Sequence, residues 1–140
     1  MEGDPRRLDT VSTWNSAPPR VLFVDDEVTM SRATGRLLAR MGFDVVMAET
    51  PLDAMSVAHD EPVHVVVADI HLPNFSGVEL AHELRANGLD APILFISGDP
   101  NALDAANRAG FARTTILPKP FTVAQLNAAI WETLADRPAA

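Results

Sequence analysis

At 140 residues, with hydrophobic residues at 47% and charged residues at 21%, the chain has the balance of one globular domain with a real core. Nineteen acidic against eleven basic side chains leave a formal net charge of −8, which disfavours direct binding to nucleic acid and suits a divalent cation. The lack of cysteine excludes a disulfide, a thiolate metal site and a Cys nucleophile, and no apolar run nears the roughly 18 residues of a membrane span. The N-terminus has charges but no apolar segment of a secretory signal, so a cytoplasmic protein with no membrane partner is expected.

Met1–Pro19 mixes Asp, Arg, Ser, Thr and Pro and ends in Ala17-Pro18-Pro19. It reads as a flexible extension with Trp14 as its single large apolar anchor and Glu2, Asp4 and Asp9 as solvated charge. Residues 20–136 then form the expected domain, and 137–140 a short tail. Val21–Asp25 is a short buried strand. Asp26-Glu27 follows, then a helix from about Val28 to Met41 whose apolar side is Met30, Ala33, Leu37, Leu38 and Met41. Gly42 ends it. Phe43–Ala48 is the second strand. Thr50-Pro51 is an N-cap with Pro at N1, opening a helix to about His59. Met30, Met41, Met47 and Met55 read as core.

Val63–Asp69 is the third strand, and the stretch VHVVVADIHLPNFSG that contains it organises the rest. A short apolar run bounded by turn residues reads as a strand buried on both faces. One carboxylate, Asp69, stands where that strand leaves the sheet. Gly77–Asn87 is the third helix, closed by Gly88. Pro92–Ser97 is the fourth strand and Asn101–Ala109 an Ala-rich fourth helix closed by Gly110. Thr114–Leu117 is a weaker fifth strand cut short by Pro118. Thr122–Ala135 is the last helix, with Thr122 and Gln125 as a capping box and Val123, Leu126, Ile130 and Leu134 on one face. Five strands joined by single helices pair in parallel, which predicts an α/β sandwich with helices on both faces.

The expected strand ends carry polar residues where a core would not want them: Asp25-Asp26-Glu27, Asp69, Ser97 with Gly98-Asp99, and Lys119. In a parallel sheet these ends meet at one edge, where open α/β folds bind ligands. Clustered carboxylates repel one another unless a cation joins them, and hard oxygen donors suit Mg²⁺, which also binds phosphate oxygens. Mg²⁺ and Lys119 together offset the charge of a phosphoryl group, Ser97 donates a hydrogen bond to it, and Asp69 is the nucleophile. Each residue also has an ordinary reading. Asp25 or Asp26 can cap a helix, Ser97 can be a turn residue and Lys119 a surface lysine; the weight comes from Asp69 and the shared edge. His59, His64 and His82 have no metal-ligand spacing and read as surface or rim residues.

These residues, in this order, resemble the receiver domain of bacterial two-component response regulators over Arg20 to about Leu134. The marks are Asp25-Asp26-Glu27, Asp69 with Leu72-Pro73 and Gly77, Ser97, and Lys119-Pro120-Phe121. The resemblance implies a flavodoxin-like five-stranded parallel sheet of order 2-1-3-4-5, with Asp69 as phospho-acceptor and Asp26 and Asp69 as direct Mg²⁺ ligands. It implies that Asp25 acts largely through water, that the His71 backbone carbonyl completes the protein ligands, and that the Lys119–Pro120 peptide is cis. A histidine kinase would donate the phosphoryl group, and the domain would catalyse its own loading and slow hydrolysis without being a stand-alone enzyme. Its output surface would be the fourth helix, fifth strand and fifth helix, roughly Asn101–Leu134, including Arg108, Arg113 and Trp131. Since the chain ends at Ala140, output is expected through a partner protein, or the chain is a piece of a larger one.

Two positions depart from the family's pattern. Ile116 stands three residues before the lysine, where the family commonly has Tyr or Phe, so the aromatic half of its switch is absent. His71, two residues past the acceptor, with Asp99 on the opposite rim, is expected to alter phosphoryl lifetime. The alternatives are a phosphorylation-independent interaction module of the same fold and a receiver from a hybrid histidine kinase. A phosphatase with an Asp nucleophile would need a second Asp where His71 stands, and a flavin-binding protein a Ser/Thr-rich loop where Asp25-Asp26-Glu27 stands.

Overall fold

A computed structural model describes residues 18–25, 28–72, 75–99, 101 and 114–135, with backbone alone for 28–31 and 72. Asp26, Glu27, the segment before Pro18, most of the expected fourth helix with Arg108 and Arg113, and the C-terminal tail lie outside the described residues.

Five strands form one parallel sheet: β1 (Arg20–Val24), β2 (Asp44–Ala48), β3 (Val65–Asp69), β4 (Ile93–Ser97) and β5 (Thr114–Pro118). Their order is 2-1-3-4-5, the expected one, and all four pairings are parallel. Four helices are described: α1 (Val28–Arg40), α2 (Pro51–Asp60), α3 (Gly77–Ala86) and α4 (Val123–Ala135). A short antiparallel ladder, His71–Leu72 with Phe75–Ser76, follows β3.

Alternation along the strands splits the interior into two cores, because successive side chains point to opposite faces of a sheet. Val21, Phe23, Val45, Val65, Val67, Leu94 and Ile96 face α1 and α4, where they meet Leu38, Leu126, Ile130 and Leu134. Leu22, Val24, Val46, Val66, Ala68, Ile93 and Phe95 face α2 and α3, where they meet Ala54, Val57, Leu80 and Leu84. Burial on both faces is why the strands read as continuous apolar runs. β5, at the edge, is only half-buried along its length, in keeping with its weaker pattern.

The helix boundaries follow the capping chemistry. Thr50 Oγ1 accepts from the Asp53 N–H, with Pro51 in the first turn. Ser76 Oγ accepts from the Glu79 N–H at the start of α3. Thr122 and Gln125 exchange both bonds of a capping box before α4. Gly42 and Gly88 end α1 and α3 at positive φ, 105° and 89°. The Lys119–Pro120 peptide is cis, as expected.

The expected apolar face of α1 needs correction. Among its described side chains Gly35, Leu38 and Ala39 are buried, whereas Ala33, Leu37 and Met41 are exposed; Met30 lies outside them. Neighbouring residues on a helix are turned by about 100°, so burying Leu38 leaves Leu37 on the flank. Met41 is therefore not core, while Met47 is, and Met55 packs partly buried against the α2–α3 core. Trp131, on α4, is 37% exposed and its ring lies 5.2 Å from that of Phe43. The third strand starts at Val65, not Val63, because His64 is drawn into contacts with Arg20.

Candidate functional site

Every described member of the polar set sits at the carboxyl ends of the strands. The β1–β3 register runs Val21↔Val65 to Val24↔Ala68, so Asp25 and Asp69 are the next pair, side by side on neighbouring strands. Parallel strands lie about 4.8 Å apart, close enough for two carboxylates to share a ligand. The β3–β4 register pairs Asp69 with Ile96, which puts Ser97 one step beyond the acceptor on the adjoining strand. Lys119 directly follows β5, two strands from β3, and must span about 10 Å of sheet. Its extended side chain does so: Nζ lies 2.5 Å from Asp69 Oδ2.

Asp69 is held from two sides. Oδ2 takes the Lys119 ammonium, and Oδ1 accepts from the His71 N–H at 2.9 Å. The backbone around it is equally fixed. The Ile70 N–H donates to the Ile96 carbonyl, and the Gly77 N–H to the Ile70 carbonyl at 2.8 Å. Position 77 has no room for a side chain: a Cβ there would sit 2.6 Å from the Asp69 carbonyl oxygen. Glycine thus lets the start of α3 close onto the acceptor strand. The Asp69 side chain is 14% exposed and that of Lys119 47%, so the carboxylate lies in a recess that the lysine covers from above.

Ser97 is buried, at 1% exposure. Its hydroxyl oxygen accepts from the Asp99 N–H at 3.0 Å, and its carbonyl accepts from the Lys119 N–H at 2.9 Å. Ser97 is thereby tied to the lysine's loop through its backbone and to its own loop through its side chain. Across the mouth, His71 Nε2 lies 3.3 Å from Asp99 Oδ2. The sequence singled out both residues as rim positions; their pairing emerges only in three dimensions. Asp99 Oδ1 also accepts from the Asn101 N–H. Ile116 is half-buried against the α2–α3 core and is paired in register with Phe95.

The arrangement can hold a hard cation. Among the described residues no three metal-ligating side chains converge. The donors there are two carboxylates, Asp25 and Asp69, on adjoining strand ends, and Asp26 follows Asp25 in the chain. That all-oxygen donor set fits Mg²⁺, which keeps several waters and needs few protein ligands.

One polar cluster escaped the sequence reading. At the opposite end of the sheet, Arg20 donates to Asp44 through Nε at 2.9 Å and approaches the same oxygen through Nη2 at 2.8 Å. It also donates to the Pro62 carbonyl and lies 3.6 Å from Glu61. The Arg20 N–H donates to His64 Nδ1 at 2.8 Å. The only signal in the sequence was an acid, Asp44, opening an otherwise apolar strand.

The model of the response regulator receiver domain family matches residues 21–131. Response regulator MprA of Mycobacterium sp. (strain KMS) is 29% identical over 109 residues, which are 78% of this chain and 47% of that protein. Sensor kinase CckA of Brucella abortus is 31% identical over 121 residues, 85% of this chain and 13% of that protein. The chain thus spans less than half the length of these curated relatives. Among solved structures, FixJ-N superposes with a TM-score of 0.76 at 28% identity, covering 89% of this chain and all of that one. The receiver domain of hybrid histidine kinase CckA superposes at 0.66 and 27% identity, covering 82% and 98%. With five parallel strands in the order 2-1-3-4-5, an acid at the end of β3 and a lysine reaching it from beyond β5, the chain belongs to the response regulator receiver domain family.

Proposed function

We propose that residues 20–136 form a phospho-accepting signalling domain in which Asp69 takes a phosphoryl group from a histidine kinase. The observation that carries this reading is the Lys119–Asp69 contact, which brings a cation across two strands onto one recessed carboxylate. One carboxylate oxygen of Asp69 attacks phosphorus, and the bond from phosphorus to the donor's nitrogen breaks with its electron pair leaving on the donor. The Lys119 ammonium balances charge on the transferred group, and Ser97 turns its hydroxyl from the Asp99 N–H to a phosphoryl oxygen. Asp25, Asp26, Asp69 and the His71 carbonyl would hold Mg²⁺, which when bound supplies further positive charge to the phosphoryl oxygens. The His71 N–H keeps the Asp69 carboxylate oriented as its charge changes.

The His71–Asp99 pair flanks the acceptor and joins the loop after β3 to the loop that carries Ser97. It acts as a bar on the approach of water, and so sets how long the phosphoryl group survives. Output runs to an effector protein through β5, α4 and the segment before them, with Ile116 in place of an aromatic switch. The proposed site of action is cytoplasmic, and no helix among the described residues is long and apolar enough to cross a membrane.

The test is intact mass before and after acetyl phosphate with Mg²⁺. Wild type gains one phosphoryl group and Asp69→Asn gains none. An unchanged mass for folded wild type would favour a phosphorylation-independent interaction module instead. The match to CckA favours a second reading of context, in which this unit acts as the receiver of a larger sensor kinase.

A further inference from the structure

α2 and α3 each run from the carboxyl ends of the strands back to the amino ends, so both finish at the Arg20 end of the sheet. Among the described residues, a cleft of about 270 Å³ opens there between the two helices. Met55 and Ala58 of α2 face Leu84 and Leu89 across it, with His59 and Asn87 as its polar members. Leu84 is buried, but Met55, Ala58 and Leu89 are only half-buried. The Asn87 amide donates to Met55 Sδ at 3.2 Å and to the Glu83 carbonyl at 2.8 Å, which ties α3 to α2 beside the opening. Both amide hydrogens are thereby used, and Asn87 Oδ1 is the acceptor that an incoming N–H meets at that rim.

The chain enters the domain beside this cleft. Arg20 lies on the same strand face as Leu22 and Val24, the face covered by α2 and α3. Its guanidinium donates to the Pro62 carbonyl and lies 3.6 Å from Glu61, two residues past His59. Trp14 stands four residues before Pro18. Four extended residues reach about 14 Å, enough to cross the width of one helix, about 10 Å.

We propose that the indole of Trp14 seats in the cleft between α2 and α3. An indole is flat and apolar with one donor, which suits two leucines, a thioether and a single amide oxygen at the rim. A tethered ring is present at an effective concentration of about millimolar without any partner. A second copy brings a like charge of −8 to the same place, which disfavours exchange of the segment between chains. Seated there, Trp14 fastens the extension across both helices and covers Met55 and Leu89. The contact lies at the end of the sheet remote from Asp69 and is independent of phosphoryl transfer.

The experiment uses the full chain with ¹³C-labelled Met and Leu methyls, read by nuclear Overhauser contacts to the Trp14 indole, whose resonances the variant Trp14→Ala identifies. Contacts are expected to the methyls of Met55, Leu84 and Leu89, and Trp14→Ala should shift those same methyls. Trp131→Phe leaves Trp14 as the sole tryptophan of a chain without tyrosine, and acrylamide should quench it several-fold less in buffer than in urea. Ala58→Leu puts a larger side chain, still a good helix former, into the cleft. It should raise quenching of Trp14 to the level seen in urea while the circular dichroism stays that of wild type. Contacts confined to another face, equal quenching in buffer and urea, or unchanged quenching in Ala58→Leu would overturn the proposal. So would contacts between differently labelled copies that fade on dilution, which make a second copy the occupant.

Discussion

The two ends of the sheet carry similar chemistry and use it differently. At the amino ends of the strands, Arg20 is surrounded by acceptors: Asp44, the Pro62 carbonyl and Glu61. Its charge is fully employed in joining β1, β2 and the loop before β3. At the carboxyl ends, the Lys119 ammonium meets Asp69, Asp25 stands alongside, and the Ser97 hydroxyl bonds its own loop. Acid outnumbers base among the described groups at that edge, with Asp25, Asp69 and Asp99 beside the Lys119 ammonium. A closed polar network stabilises a fold, whereas one short of positive charge is ready to receive an anion together with a cation.

Removing the lysine should give the largest effect on one side of this comparison. Lys119→Ala is expected to slow loading by acetyl phosphate about 100-fold or more, the usual loss for a preorganised charge stabiliser. Because the lysine side chain is half exposed, thermal unfolding should move little. Stopped-flow loading and calorimetry on the same sample check both halves. Equal loading rates would show that Lys119 merely balances Asp69 at rest.

Arg20→Ala should do the reverse. It leaves Asp44, whose side chain is 12% exposed, without its main cation, and strips a donor from the Pro62 carbonyl. The expected cost is about 2 kcal/mol of stability, read from urea unfolding, with the loading rate of the folded protein unchanged. A variant that loads slowly but unfolds normally would mean that the two ends are coupled through β1.

The difference between the ends also explains what could be read in advance. The acceptor edge was legible because its residues break apolar runs at strand ends: an acid after three valines and an alanine, a serine closing PILFIS, a lysine before a proline. Period-two burial and capping residues placed the elements around them. The Arg20 clasp was not legible, since its partners lie 24 and 42 residues away and each looks like an ordinary surface residue. The tilt of α1 failed for a related reason. Periodicity offered several apolar rows, and buried Gly35 beside Leu38 selected which one faces the sheet. Likewise the His71–Asp99 pairing depends on how two loops fold over the strand ends, which no local pattern encodes.

That pair offers the finest division between a stabilising contact and a functional one. His71 and Asp99 are 65% and 45% exposed, so by surface standards their contact contributes at most about 0.5 kcal/mol. His71→Ala, Asp99→Ala and the double variant should therefore unfold close to wild type. If the pair bars the mouth, each single variant changes phosphate lifetime on Asp69 a few-fold, in the same direction, and the double variant changes it no further. That non-additivity is the signature of two side chains acting as one unit. The expected direction is a shorter lifetime, because opening the bar admits water to the acyl phosphate. The Asp99 variants carry a second consequence, since its N–H holds the Ser97 hydroxyl and its carboxylate holds the Asn101 N–H. Asp99→Asn keeps those backbone geometries while weakening the contact with His71. A lifetime equal to that of His71→Ala assigns the effect to the bar; a lifetime equal to wild type assigns it to the loop that carries Ser97.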